Sequence, residues 1–203
     1  MEIRLYQPGD EKQIVKLLAD AFQEDPLYHA FVHDPAKRRR FLEEFMRFRL
    51  RFGVKKGLVF VEKECRGAAI LIRPDQQMTP WDLIRLGGLG AMLRSCTGEE
   101  RKFIMAFNTR MDEERDRIVR QPFWHLSPMA VAPEYQGQGC GTALLQRVTQ
   151  EVAQSGLPCY LETQTARNIP LYERCGFESR SRVQLPELGL ESCSMLFPGT
   201  RQN

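Results

Sequence analysis

No apolar run in the chain approaches the roughly 18 residues of a membrane-spanning helix, so a membrane protein is not expected. The N-terminal stretch MEIRLYQPGDEKQ carries acids and lacks the apolar core of a secretory signal. None of Cys65, Cys96, Cys140, Cys159, Cys175 and Cys193 forms a C-x-x-C pair, and none has a histidine at metal-ligand spacing. No metal is therefore expected. Six reduced thiols in a cytosolic protein, mostly packed as small hydrophobes, is the better reading than disulfides. An excess of one charge is also missing: the net charge of +3 is too small to argue for nucleic acid. Internal repeats and low-complexity tracts are absent.

What remains is an ordinary globular composition, 42% hydrophobic and 27% charged, which excludes disorder. The 203 residues suit one domain spanning 1–203 with a real core. Ile3 to Tyr6 reads as a strand. Ile14, Leu17, Leu18, Ala21 and Phe22 recur at helical offsets, with Asp10 as the cap and Pro26 beyond the end. A second helix is expected from about Pro35 to Phe52. Its apolar face is Phe41, Leu42, Phe45, Phe48 and Phe52. Its basic face (Lys37, Arg38, Arg39, Arg40, Arg47, Arg49 and Arg51) reads as solvated.

Leu58–Glu62 and Gly67–Ile72 read as a hairpin. Residues 75–122 read as a helical insertion. One helical pattern starts at Thr79-Pro80, weakened by Gly87, Gly88 and Gly90, and a salt-bridged outer helix runs from about Gly98 to Arg120. From Phe123 the pattern returns to sheet: a strand to Val131, a helix stopped by Gly156, a strand at Cys159–Thr163, a short helix closed by Gly176, and a last strand pair. That order predicts an α/β fold with a mixed sheet.

The loop Gln136-Gly-Gln-Gly-Cys-Gly141 lies between a strand and a helix. Glycines let backbone N–H groups turn inward, and the helix N-terminus adds positive potential, so the loop suits a phosphate or pyrophosphate. It has no lysine, which excludes a P-loop. Gly137 and Gly139 partly fit a dinucleotide fingerprint, with Glu162 near the place of the ribose-binding acid, but Thr142 stands where the next glycine belongs.

The Q-x-x-G-x-G spacing of Gln136, Gly139 and Gly141, after Met129-Ala130-Val131, resembles the acyl-CoA loop of the GNAT superfamily of N-acetyltransferases. Asn168-Ile-Pro-Leu-Tyr-Glu-Arg-Cys-Gly-Phe177 resembles that family's N-x-x-x-Y-x-x-x-G-F segment. Tyr160–Thr163, Arg167-Asn168 and Pro170 are most similar to the puromycin N-acetyltransferase-like branch. The resemblance is specific over the last third and topological before it. It implies a GNAT fold, a mixed central sheet flanked by helices, with residues 123–177 as the acyl-CoA-binding and catalytic segment. It implies acetyl transfer from acetyl-CoA to a primary amine, a small molecule rather than a protein, in a ternary complex.

The resemblance also assigns roles. Backbone groups of Met129, Ala130 and Val131 are expected to hold the pantetheine arm. Gln136, Gly137, Gln138, Gly139, Cys140, Gly141 and Thr142 are expected to form the pyrophosphate loop, and Asn168 to hydrogen-bond the pantetheine. Tyr172, four residues from Asn168 on one helix face, is the expected acid for the leaving thiolate. Glu162 is the expected base, its pKa raised toward neutral by desolvation, with His125 as the alternative. Trp81, Trp124, Phe31 and Tyr28 are either acceptor-pocket or core aromatics. Cys140 and Cys175 are expected to pack rather than react. A non-catalytic acyl-CoA sensor and, more remotely, a dinucleotide-dependent oxidoreductase stay open, as does a homodimer.

Overall fold

The computed structural model describes residues 1–76 and 78–199. Seven strands form one sheet: β1 (Ile3–Leu5), β2 (Gly57–Glu62), β3 (Gly67–Ile72), β4 (Trp124–Val131), β5 (Cys159–Thr163), β6 (Glu178–Leu185) and β7 (Leu190–Phe197). Their order is β1-β2-β3-β4-β5-β7-β6. Only the β4–β5 pairing is parallel; the others are antiparallel, so the sheet is mixed, as expected. The helices are α1 (Glu11–Phe22), α2 (Pro26–Phe31), α3 (Pro35–Lys56), α4 (Pro80–Arg85), α5 (Gly88–Ser95), α6 (Gly98–Ile118), α7 (Cys140–Ser155) and α8 (Ile169–Arg174).

Strand alternation divides the core between two faces. Val59, Val61, Ala68, Ile70 and Ile72 point toward α1 and α3. Phe60, Ala69, Leu71, Leu126 and Leu161 point toward α7 and α8. A third cluster joins Leu27 and Phe31 of α2, Phe41 of α3 and Ile104 of α6. The expected β2–β3 hairpin is present, and its charged turn closes on Glu62. That buried carboxylate accepts from the Arg66 guanidinium at 3.0 Å twice and from the Glu64 N–H at 3.0 Å. The Arg66 hydrogen bonds hold the Glu62 carboxyl below its ordinary value.

Four expectations change in the structure. Pro26 does not merely follow α1: it opens α2, which periodicity had not revealed. Asp25 is the cap, accepting from the Leu27 N–H at 3.0 Å, and proline suits the first helical position because it needs no hydrogen-bond donor there. Asp10 does precede α1 but makes no side-chain cap. Its carboxylate instead takes a two-pronged bond from Arg4, at 2.7 and 2.9 Å, and the Gln7 N–H at 2.8 Å, tying β1 to α1. The helical pattern after Thr79 is two helices, because Gly87 turns to a φ of +93° between α4 and α5. Thr79 and Asp82 still form a capping box at its start.

The fourth change concerns the basic face of α3. Arg38 is only 2% exposed. Its guanidinium donates to the carbonyls of Gln23 (3.0 Å), Val32 (2.9 Å) and His33 (3.1 Å). It thereby pins both ends of the α2 segment against α3. Arg49 also turns inward, toward the site described below. The outer α6 surface carries the expected ion pairs, such as Lys102–Glu99 at 3.2 Å, yet its inner face supplies Ile104 to the core.

Arg38→Met keeps the aliphatic stem and strips three buried carbonyls of their donor. It should lower unfolding stability by about 3 kcal/mol, as expected when buried acceptors lose charged donors. Chemical denaturation against the parent protein measures this.

Candidate active site

β4 follows β3 at Gly67↔Val131, Ala68↔Ala130 and Ala69↔Met129, then again at Leu71↔Leu126 and Ile72↔His125. Opposite the single residue Ile70 stand two, Ser127 and Pro128. This β-bulge bends β4. On its other side β4 pairs with β5 only at Trp124↔Cys159 and His125↔Tyr160 among the described residues. Beyond His125 the two strands part. A cavity of about 160 Å³ opens there.

The cavity reaches both faces of the sheet. From the α7–α8 side it is lined by Leu126, Leu161, Asn168 and Tyr172. Ser127 and Glu162 alternate to the opposite side, where they meet Tyr28 of α2 and Arg49 of α3. Arg49 donates from Nη2 to both the carbonyl and the hydroxyl oxygen of Ser127, each at 2.8 Å. It thus grips the bulge where the strands separate.

Tyr172 and Glu162, the expected acid and base, therefore line one cavity. Tyr172 sits on α8, whose last turn closes through Gly176 at a φ of +90°. The Phe177 N–H donates back to the Tyr172 carbonyl at 3.1 Å, and the Phe177 ring packs edge-on at 6.0 Å. Burial, with the charge of Asp25 adding to it, pushes the Tyr172 phenol up to about 12. It therefore holds its proton at neutral pH. Its hydroxyl makes no hydrogen bond among the described residues. Asn168, at the start of α8, lines the same cavity.

Glu162 departs from expectation in its proton affinity. Burial does push the carboxyl up, but His125, Tyr160 and Arg49 outweigh that, and the net shift is downward. The His125 Nε2 lies 3.7 Å from a Glu162 oxygen, and this buried nitrogen has no hydrogen-bond partner among the described residues. His125 does not line the cavity. Its ring packs between Phe123 and Tyr160. It acts on Glu162 from behind, which suits a positioning role better than the alternative base.

The glycine loop turns as its composition implied. Gly137 and Gly139 take φ values of +75° and +85°, and an added Cβ would meet nothing within 4 Å at either. The requirement there is backbone conformation rather than space. Gln138 donates to the Glu134 carbonyl at 3.0 Å and Gln136 to the Val131 carbonyl at 3.2 Å, so both side chains brace the loop. Cys140, Gly141 and Thr142 form the first turn of α7, where N–H groups have no intrahelical acceptor. The Ala132 N–H donates to Arg66 of the β3 side at 2.9 Å. By strand alternation Ala130 also faces β3, whereas Met129 and Val131 present their N–H and C=O groups to the open edge.

Tyr28 and Phe31 line the cavity. Trp124 is core, its Nε1 donating to Ser155 at 2.8 Å, and Trp81 is 67% exposed on α4. Among the polar lining residues that the sequence did not assign to the site, Asp25 and Arg49 carry charge, and Asn108, Gln164 and Thr165 stand beside them. The D-P pair before an apolar run is a helix-start signal that could have placed Asp25. Arg49 had no comparable signal. Burial raises the Asp25 carboxyl above its ordinary value despite the Leu27 N–H and the Thr165 hydroxyl, which donate to its two oxygens at 3.0 and 3.3 Å. Burial also raises the Cys140 and Cys175 thiols, which leaves neither as a ready thiolate.

Residues 99–179 match the family model described as an acetyltransferase (GNAT) domain; the match begins in the first turn of α6. An uncharacterized N-acetyltransferase of Schizosaccharomyces pombe is 25% identical over 191 residues, covering 91% of this chain and 77% of its own. A solved Corynebacterium glutamicum structure, described as histone acetyltransferase HPA2 and related acetyltransferase, shares 22% identity. It superposes with a TM-score of 0.67 over 99% of this chain and 97% of its own. An aminoglycoside 6'-N-acetyltransferase solved with coenzyme A shares 15% identity, with a TM-score of 0.55 over 100% and 99%. The chain has the GNAT fold, and its residues 99–179 are similar to a GNAT acetyltransferase domain.

Proposed function

We propose that the protein transfers acetyl from acetyl-CoA to the primary amine of a small molecule, by direct attack in a ternary complex. One observation carries this: Tyr172 and Glu162 enter a single cavity from opposite faces of the sheet, at the point where β4 leaves β5. Acetyl-CoA supplies the activated acyl group. The open-edge backbone of Met129 and Val131 offers an antiparallel-like ladder to its pantetheine arm, with Asn168 across the gap. The N–H groups from Gly137 to Thr142 suit its pyrophosphate. The coenzyme A held by the aminoglycoside enzyme of the same fold supports this assignment. The likeness to the puromycin-type branch lies in this cofactor half and supports the cofactor rather than a particular acceptor. The cytosol is the proposed setting.

Tyr172 keeps its proton at neutral pH and can give it to the departing thiolate. Glu162 stays ionised, so it can hold an ammonium and take a proton from it, directly or through water. With raised thiols, Cys140 and Cys175 do not offer a covalent route.

Calorimetric titration with acetyl-CoA, with NADH as control, tests the cofactor. Micromolar acetyl-CoA binding without NADH binding is expected; the reverse would indicate a dinucleotide enzyme. Tyr172→Phe should lower kcat by roughly 10²-fold while acetyl-CoA still binds. Unchanged turnover removes Tyr172 from the chemistry.

Glu162→Gln should lower kcat/KM at pH 7 by about 10²-fold. The loss should shrink as pH rises, because an amine already deprotonated in solution needs no base. Its lowered pKa keeps Glu162 ionised through neutral pH, so its own titration should add no acid limb there. A loss that is equal at every pH would make Glu162 an anchor only.

A further inference from the structure

We infer that the acceptor is a compact monoamine bearing an aromatic ring, rather than a polyamine, an amino sugar or a peptide. This rests on the acetyltransferase reading and deepens it. On the α2–α3 side the cavity is walled by a continuous aromatic array. Phe107 of α6 meets Phe31 of α2 edge-on at 5.3 Å, and Phe31 meets Tyr28 at 5.9 Å. Tyr28 lies 6.4 Å from Phe41 of α3, which stacks on Phe45 at 5.1 Å and 15°. All five rings line the cavity. Such walls offer ring edges and faces to an aromatic guest, and of the five rings only Tyr28 carries a hydroxyl for a sugar to pair with.

Charge and size narrow the choice further. Both oxygens of Asp25 already accept hydrogen bonds, from Leu27 and Thr165. Burial raises the Asp25 carboxyl, whereas the net shift of Glu162 is downward, so Glu162 is the better anchor for a cation, with His125 behind it at 3.7 Å. Arg49 lies in the same space and disfavours a second ammonium. One anionic anchor beside one guanidinium suits a single positive charge. The cavity of about 160 Å³ is also lined by Met129, Asn168 and Tyr172, which face the acetyl-CoA end, so the acceptor has to be compact.

The test has two arms. The first compares kcat/KM for 2-phenylethylamine, butylamine, spermidine, a glucosamine and an alanine-led tripeptide, each with acetyl-CoA. The aromatic amine should exceed every other by at least tenfold. Phe107→Leu, which keeps bulk and loses the ring, should narrow its advantage over butylamine several-fold; a thermal melt checks that this variant is folded. The second arm measures binding of the same amines without acetyl-CoA, by calorimetry. Preference for spermidine, the sugar or the tripeptide in either arm overturns the inference, as does parity between the ring-bearing amine and butylamine. Failure of the separate acetyl-CoA titration would sink the acetyltransferase reading, while the amine-binding arm would still decide the pocket's preference.

Discussion

The site depends on one constraint, the release of β4 from β5 after two paired positions. A parallel pair that continued would fill the middle of the sheet with hydrogen bonds and leave no cavity. The bulge at Ser127 and Pro128 prevents this, since an extra residue bends the strand and proline brings no N–H to a ladder. Arg49 then secures the bulge by donating twice to Ser127. Of the groups that β5 would have engaged, the Val131 carbonyl accepts from Gln136, and the others on Met129 and Val131 stay at the open edge. A local irregularity in one strand thus creates both the reaction cavity and an edge for an extended ligand.

The opening through the sheet separates the two proposed proton tasks. Tyr172 lies among apolar side chains beside α7, where burial favours its neutral form. Glu162 lies on the other face, where neighbouring donors favour its charged form despite burial. Opposite environments therefore hold an acid protonated and a carboxylate ionised within one small volume. A site made wholly on one face would bring the two groups into a common dielectric environment and make that division harder to maintain.

Much of the fold was legible because its periodicities are plain. The β2–β3 hairpin and β5 follow from short apolar runs between turn residues, and the glycines at 137 and 139 announced the turn into α7. Asn168 and Tyr172 were legible as a pair four apart. The rest was hidden for physical reasons. The length of the β4–β5 pairing is a tertiary property that strand patterning does not encode. Arg38 and Arg49 look like neighbouring residues on a charged helix face, yet one meets three carbonyls and the other a bulge. The Glu162 shift went the other way from a desolvation argument because His125 and Arg49, distant in sequence, stand beside it.

The two ends of the cavity also differ in what holds them. The proposed cofactor side is mostly backbone: an open strand edge at the cavity and, beyond its lining, two glycines in left-handed conformations and a helix N-terminus. Backbone recognition tolerates side-chain change, so long as the glycines keep their turns. The proposed acceptor side is made of side chains from α2, α3 and α6, and α2 is itself pinned by Arg38. Substitution there can reshape the pocket without disturbing the loop or the strand edge. The family-model match spans α6, the loop and α8, whereas α2 and α3 lie outside it. Of the aromatic wall, Phe107 of α6 falls inside the match, while Tyr28, Phe31, Phe41 and Phe45 fall outside it, so most of the wall has to be read from this chain itself.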